Sequence, residues 1–207
     1  MEKVFNLIIV DESGSMEAIR EQAFVGMNDT IGTILEAQKE HENLEQSVTL
    51  LTFNSDKTTY HFLNVPASRA GKLKYEEYEP SGCTPLYDAI GKGIAKINSL
   101  CELEDKVLVT IITDGYENSS REYGLKAIKN LISKMKKQNW IFTFIGTDDL
   151  DVKGMADRFG IVDFCSFDRT EEGTKKMFKK ENNARKKILY KLAAHKDIKE
   201  GDYFKGM

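Results

Sequence analysis

The sequence predicts an α/β fold: a doubly wound, mainly parallel sheet of six strands with one antiparallel edge strand and helices on both faces. Three observations lead there. Strand-like and helix-like patterns alternate almost throughout the 207 residues, and parallel strands need crossover connections, which are right-handed. One link is too short for a crossover: only Asn54-Ser55-Asp56-Lys57 separates two apolar runs, so the third strand should turn back as a hairpin partner at the sheet edge. A hydrophobic content of 41% suits one buried domain with a modest extension, and two full domains would be crowded.

The elements follow in order as short apolar runs ending in turn residues, with helical periodicity between them. Val4 to Val10 is the first strand. Ala18 to Lys39 sets Ile19, Ala23, Met27, Ile31, Ile34 and Leu35 at spacings of three to four, one buried stripe on a long helix. Ser47 to Phe53 and Thr58 to Leu63 are the hairpin pair. Tyr87 to Leu100 is a helix buried through Ile90, Ile94 and Ile97, and Lys106 to Thr113 is the fourth strand. Tyr123 to Lys137 repeats Leu125, Ile128, Leu131, Ile132 and Met135 on a helix, and Trp140 to Ile145 is the fifth strand. A short helix from Val152 to Phe159 precedes the sixth strand, Val162 to Ser166.

Residues 1–168 are expected to form the domain, and 169–207 a basic, mainly helical extension. From Thr174 to Met207 eleven Lys or Arg stand against four Asp or Glu, a net of +7 that leaves −10 on the preceding residues. Met177, Phe178, Ile188, Leu189 and Leu192 predict a helix packed on the sheet at its start, with the final residues fraying. Its lysines read first as a solvated helix face.

Several functions are disfavoured by what is present. A net charge of −3 gives no global field for nucleic acid. The apolar run Leu7 to Val10 is far too short for a signal segment or a membrane span, and the sequence reads as cytoplasmic. Cys83, Cys101 and Cys165 are odd in number and widely spaced, which points to neither a disulfide framework nor a zinc knuckle. His41, His61 and His195 have no metal-ligand spacing, so zinc and histidine base catalysis lack support.

In an open α/β sheet, ligands bind beyond the carboxyl ends of the strands. Three loops there are rich in oxygen. After the first strand comes Asp11-Glu12-Ser13-Gly14-Ser15-Met16, where a carboxylate and two hydroxyls alternate and Gly14 leaves room for the turn that gathers them. Thr113-Asp114-Gly115 follows the fourth strand. Pro80-Ser81-Gly82-Cys83-Thr84-Pro85 precedes the second long helix, with Thr84 at a plausible cap and Pro85 at the first helical position. Two carboxylates and the neutral hydroxyls of Ser13, Ser15 and Thr84 suit Mg2+ or Mn2+, and leave the ion electrophilic toward one further anionic ligand.

The string Leu-Ile-Ile-Val-Asp-Glu-Ser-Gly-Ser-Met resembles the Asp-x-Ser-x-Ser signature of von Willebrand factor A domains, a Rossmann-like family found in integrins and many bacterial proteins. The resemblance covers about residues 3 to 167. It implies a metal-ion-dependent adhesion site in which Ser13, Ser15 and Thr84 coordinate directly while Asp11 and Asp114 stand close by, often acting through water. It also implies a protein partner that offers an Asp or Glu carboxylate to the ion. Cys83 departs from the Gly-Gly-Thr-Pro-Leu of bacterial relatives, and a positive φ at that position would strain it.

Each motif alone has an ordinary reading: a helix cap for Asp11, Ser13 and Ser15, another for Thr84, and a turn for Asp114-Gly115. Their joint placement at three strand ends is what favours a site. Glu12, Tyr116, Asn118 and Asp148 are candidates for a partner-binding rim, although Asp148 and Asp149 also stand where they would cap the Val152 helix. The competing function is a magnesium-dependent phosphohydrolase of the haloacid dehalogenase type, which also places an aspartate after the first strand. Such enzymes need a second aspartate two residues on as general acid, and that position is Ser13. A phosphoacceptor receiver lacks its acidic pair and late lysine here. No nucleophile stands beside a base, so no catalysis is expected.

Overall fold

A computed structural model describes residues 1–207. Its six strands are β1 (Glu2–Asp11), β2 (Leu44–Phe53), β3 (Thr58–Pro66), β4 (Lys106–Thr113), β5 (Trp140–Thr147) and β6 (Asp163–Phe167). They form one sheet in the order β3-β2-β1-β4-β5-β6. Only the β2–β3 hairpin is antiparallel; every other pairing is parallel. The helices are α1 (Arg20–Glu40), α2 (Leu86–Asn98), α3 (Leu125–Lys136), α4 (Val152–Phe159) and α5 (Glu171–Ala193).

The period of two along β1 divides the core. Leu7 and Ile9 join Ile90, Ile94, Ile128, Ile132 and Phe159 on the face covered by α2, α3 and α4. Ile8 and Val10 join Met27, Ile31, Ile34 and Phe178 on the face covered by α1 and α5. Successive side chains of a strand point to opposite faces, so a strand covered on both sides is apolar along most of its length. From Val4 to Asp11, β1 is buried without a break.

The chain leaves β1 toward β2 and β3, then crosses through α2 to β4 on the other side of β1. The ends of β1 and β4 therefore flank the switch point, where the loops diverge and open a crevice. Asp11 ends β1, and Asp114 follows the last residue of β4.

Several expectations need correction. The long first helix opens as a 3₁₀ turn, Gly14–Ile19, before α1 begins at Arg20. Ser13 sits at the cap of that turn but makes no capping bond with its side chain. Likewise α2 begins at Leu86 with Pro85 at the cap position and no side-chain cap, so Thr84 is not a capping residue. The positive φ of the second loop falls on Gly82, at 68°, and Cys83 is spared the strain. Asp151, and neither Asp148 nor Asp149, caps α4, accepting from the amide of Gly154 at 2.9 Å.

The C-terminal segment is also more firmly held than expected. Tyr203 is buried, its hydroxyl 2.9 Å from Glu181 Oε1, and the amides of Gly201 and Tyr203 donate to the Asp163 carboxylate at 3.0 Å each. These bonds hold residues that sequence reasoning left to fray. Nor is α5 only a solvated basic face: Arg185 is fully buried against the sheet. It donates to Glu181, to Asn6 Oδ1 of β1 at 2.7 Å and to Thr110 Oγ1 of β4 at 2.8 Å.

Candidate metal centre

The crevice at the switch point gathers the five residues expected to form the site. Asp11 is fully buried. Its Oδ1 accepts from the Ser13 amide at 2.7 Å and its Oδ2 from Thr113 Oγ1 at 2.6 Å. Its own carbonyl accepts from the buried Tyr78 hydroxyl at 2.7 Å. Ser13 Oγ lies 3.2 Å from Ser15 Oγ, and Ser15 Oγ donates to Asp114 Oδ1 at 2.6 Å. Free of capping duty, the Ser13 hydroxyl faces that of Ser15, which in turn bonds the second carboxylate.

Thr84 reaches the same place from the second loop. A Cβ built on Gly115 would lie 3.1 Å from Thr84 Oγ1 and 3.9 Å from Asp11 Oδ2, so these two oxygens converge over the bare backbone of that glycine. Asn118 holds Thr84 from both sides: its Oδ1 accepts from the Thr84 amide at 2.8 Å, and its own amide donates to the Thr84 carbonyl at 3.1 Å. The Gly14 amide donates to the Gly82 carbonyl at 3.1 Å, which ties the first and second loops together.

The electrostatics are unbalanced. Burial raises the Asp11 carboxyl to about 6 despite hydrogen bonds from Thr113 and Ser13 that lower it. Burial also raises Asp114. Asp114 Oδ2 is buried and accepts no hydrogen bond. A buried carboxylate oxygen without a donor is costly, and a cation would relieve that cost. The donors are all hard oxygens, two carboxylates and three hydroxyls, and these fit a small divalent ion such as magnesium. No group of three or more His, Cys, Asp or Glu suited to a metal occurs in the chain, which sets this centre apart from an all-carboxylate or a zinc-type cage.

The rim differs from expectation at one position. Glu12 is fully buried and cannot touch a partner; the loop turns it inward beneath the site. There it accepts from Thr52 Oγ1 at 2.6 Å and the Glu79 amide at 2.8 Å, and pairs with Lys57 at 3.3 Å. Tyr116 is half exposed, with its hydroxyl accepting from the Asp151 amide at 2.9 Å. Asn118 and Asp148 are exposed. Thr113, Tyr78 and Arg169 were missed by sequence reasoning. Thr113 was legible only as part of the strand end, Tyr78 carried no signal, and Arg169 lies beyond the stretch that resembles a known family.

The sequence model of the von Willebrand factor type A domain matches residues 7–158. No curated protein matches the sequence. Among solved structures, the chain is similar to the PilB minor pilin of Streptococcus sanguinis at 15% identity and a TM-score of 0.66, covering 93% of this chain and 63% of that one. It is similar to a von Willebrand factor type A protein of Catenulispora acidiphila at 12% identity and a TM-score of 0.62, covering 93% of this chain and 43% of the other. The vWF domain of the type V pili tip protein Mfa5 of Porphyromonas gingivalis aligns at 11% identity and a TM-score of 0.62, covering 96% of this chain and 98% of that domain. This chain thus spans less than two thirds of the pilin and of the Catenulispora protein. No helix is long and apolar enough to cross a membrane.

Proposed function

Because the chain belongs to the von Willebrand factor type A domain family, we propose that it is a protein-binding module whose divalent cation, Mg2+ or Mn2+, accepts an acidic side chain of a partner protein. Domains of this family commonly serve adhesion or protein interaction, and they often bind a divalent metal. The observation that carries the reading is Asp114 Oδ2, buried and without a donor, beside a hydroxyl array that has no capping role.

Ser13, Ser15 and Thr84 would hold the ion, with Asp11 and Asp114 balancing its charge. The ion supplies a Lewis-acidic position to which a partner carboxylate adds. The chain's own residues do the rest. Thr113 and the Ser13 amide fix the Asp11 carboxylate, Asn118 fixes Thr84, and Ser15 stands at the exposed mouth of the crevice. Without a cation, two acidic groups would face the partner's carboxylate, and like charges in a partly desolvated cleft oppose association.

The phosphohydrolase alternative finds no support. Ser13 stands where the general acid would be, and its hydroxyl faces Ser15. Family members in pilins and adhesins are typically not enzymes.

Titration calorimetry with MgCl2 and with MnCl2 tests the site. Weak binding of one ion is expected in the wild type, since three neutral ligands lack the charge for tight capture. It should vanish in Ser13→Ala/Ser15→Ala. Equal heat in wild type and double variant would refute the site. A partner recovered by pull-down should be lost on adding EDTA and in Thr84→Ala, with circular dichroism unchanged. A partner indifferent to both would mean that recognition uses another surface.

A further inference from the structure

The residue that most alters the centre lies outside the stretch matched by the family model. Arg169 follows β6 in the connection to α5, one residue before the N-cap Thr170. Its Nη2 donates to the Asp114 carbonyl at 2.6 Å and lies 3.1 Å from Asp149 Oδ2. Its Nε stands 3.5 Å from Asp114 Oδ2. Both of those atoms are buried, and neither has a hydrogen-bond partner. The guanidinium is therefore anchored by its far nitrogen and presses its charge on the carboxylate oxygen without bonding to it.

An arginine is always charged and cannot leave by deprotonation. A fixed positive charge so close to Asp114 Oδ2 draws on the same negative charge that a divalent cation would need. It would also repel that cation across a partly buried space where salt screens poorly. Asp149 offsets part of the charge from the solvent side. This leaves a built-in competitor beside the metal ligands.

We propose that Arg169 is an intramolecular counter-ion of Asp114 that competes with the divalent cation and so sets the cation concentration at which the centre fills. The proposal rests on the metal-site reading above and assigns a regulator to that site. A bare electrostatic competitor acts by its charge, whereas a tether acts by its hydrogen bond to the Asp114 carbonyl.

The two roles separate in calorimetry on the full chain with MgCl2 alone. Arg169→Gln removes the charge and keeps a polar side chain; Arg169→Lys keeps the charge and loses the fork. Competition predicts that Arg169→Gln binds Mg2+ about tenfold more tightly than wild type, from one charge removed at this range, and that Arg169→Lys stays within about twofold of wild type. Equal affinity in all three proteins would make Arg169 a structural tether and overturn the proposal. Weaker binding in Arg169→Gln would also overturn it, because Arg169 would then organise the ligands. No heat in any of the three would refute the metal site itself, and the proposal with it. Circular dichroism and melting temperature of each variant verify that affinities are compared between folded proteins.

Discussion

Burial and hydrogen bonding pull the Asp11 carboxyl in opposite directions, and burial wins, leaving it at about 6. An aspartate in the unfolded chain titrates at about 3.9. The folded state therefore keeps this proton when the unfolded state has lost it. The stability it contributes is fully present below the unfolded value and is lost as pH rises toward about 6. The shift corresponds to roughly 3 kcal/mol. In EDTA, urea unfolding should show wild-type stability falling between pH 4 and pH 6.5, and Asp11→Asn should flatten that fall by about this amount. Identical pH profiles would show that the carboxyl is not shifted. Asp114, also raised by burial, contributes with the same sign, which is why the comparison is made with a variant. Asp11, Ser13, Ser15 and Asp114 were legible because each is an oxygen donor in a loop at the end of a parallel strand, whereas Thr84 lies before α2, well past the antiparallel β3, and was legible through the family resemblance. Glu12 was not. Its burial depends on Thr52 of β2 and Lys57 of the hairpin, partners that no local pattern names.

The helices show where local pattern stops being informative. Their apolar stripes placed α2, α3 and α4 within a residue or two, since burial on one face is what a 3.6-residue period records. The lysines of α5 suggested a solvated face, yet Glu181 and Arg185 lie one turn apart on the buried side and bond to β1 and β4. Packing there is close: a Cβ on Gly26 of α1 would meet the Phe178 ring of α5 at 2.1 Å. Removing one member of a buried pair strands the other charge, so Arg185→Ala should cost about 3–5 kcal/mol. Replacing both, as Glu181→Leu/Arg185→Met, should cost clearly less because no unpaired charge remains. Urea midpoints of the three proteins decide the matter. A double variant less stable than Arg185→Ala would mean that the network is stabilising beyond its own desolvation cost.

At the scale of the molecule, the alternation of elements and the single short link made the sheet and its antiparallel edge legible. The burial of residues near Tyr203 was not, because it depends on Glu181 and Asp163, brought close only by the finished fold. The proposed ligands come from loops after β1, before α2 and after β4. Those loops meet only when the sheet is assembled, so an ion held by all three binds the native chain and not the unfolded one. Such binding stabilises the whole cooperative unit, by about 2.7 kcal/mol at one hundred times the dissociation constant. For a chain of this size that corresponds to a melting temperature higher by roughly 5–10 °C. Thermal melts at pH 7.5, where Asp11 would be ionised, should therefore rise by this order in saturating MgCl2 relative to EDTA. Calcium should give less, because few carboxylates and several neutral hydroxyls make a poor substitute for its larger oxygen shell. Asp114→Ala should show no difference between the two conditions, since it loses the carboxylate whose buried Oδ2 accepts no hydrogen bond. A magnesium shift that persists undiminished in Asp114→Ala would place the stabilising ion elsewhere on the surface and remove the switch-point crevice as its site.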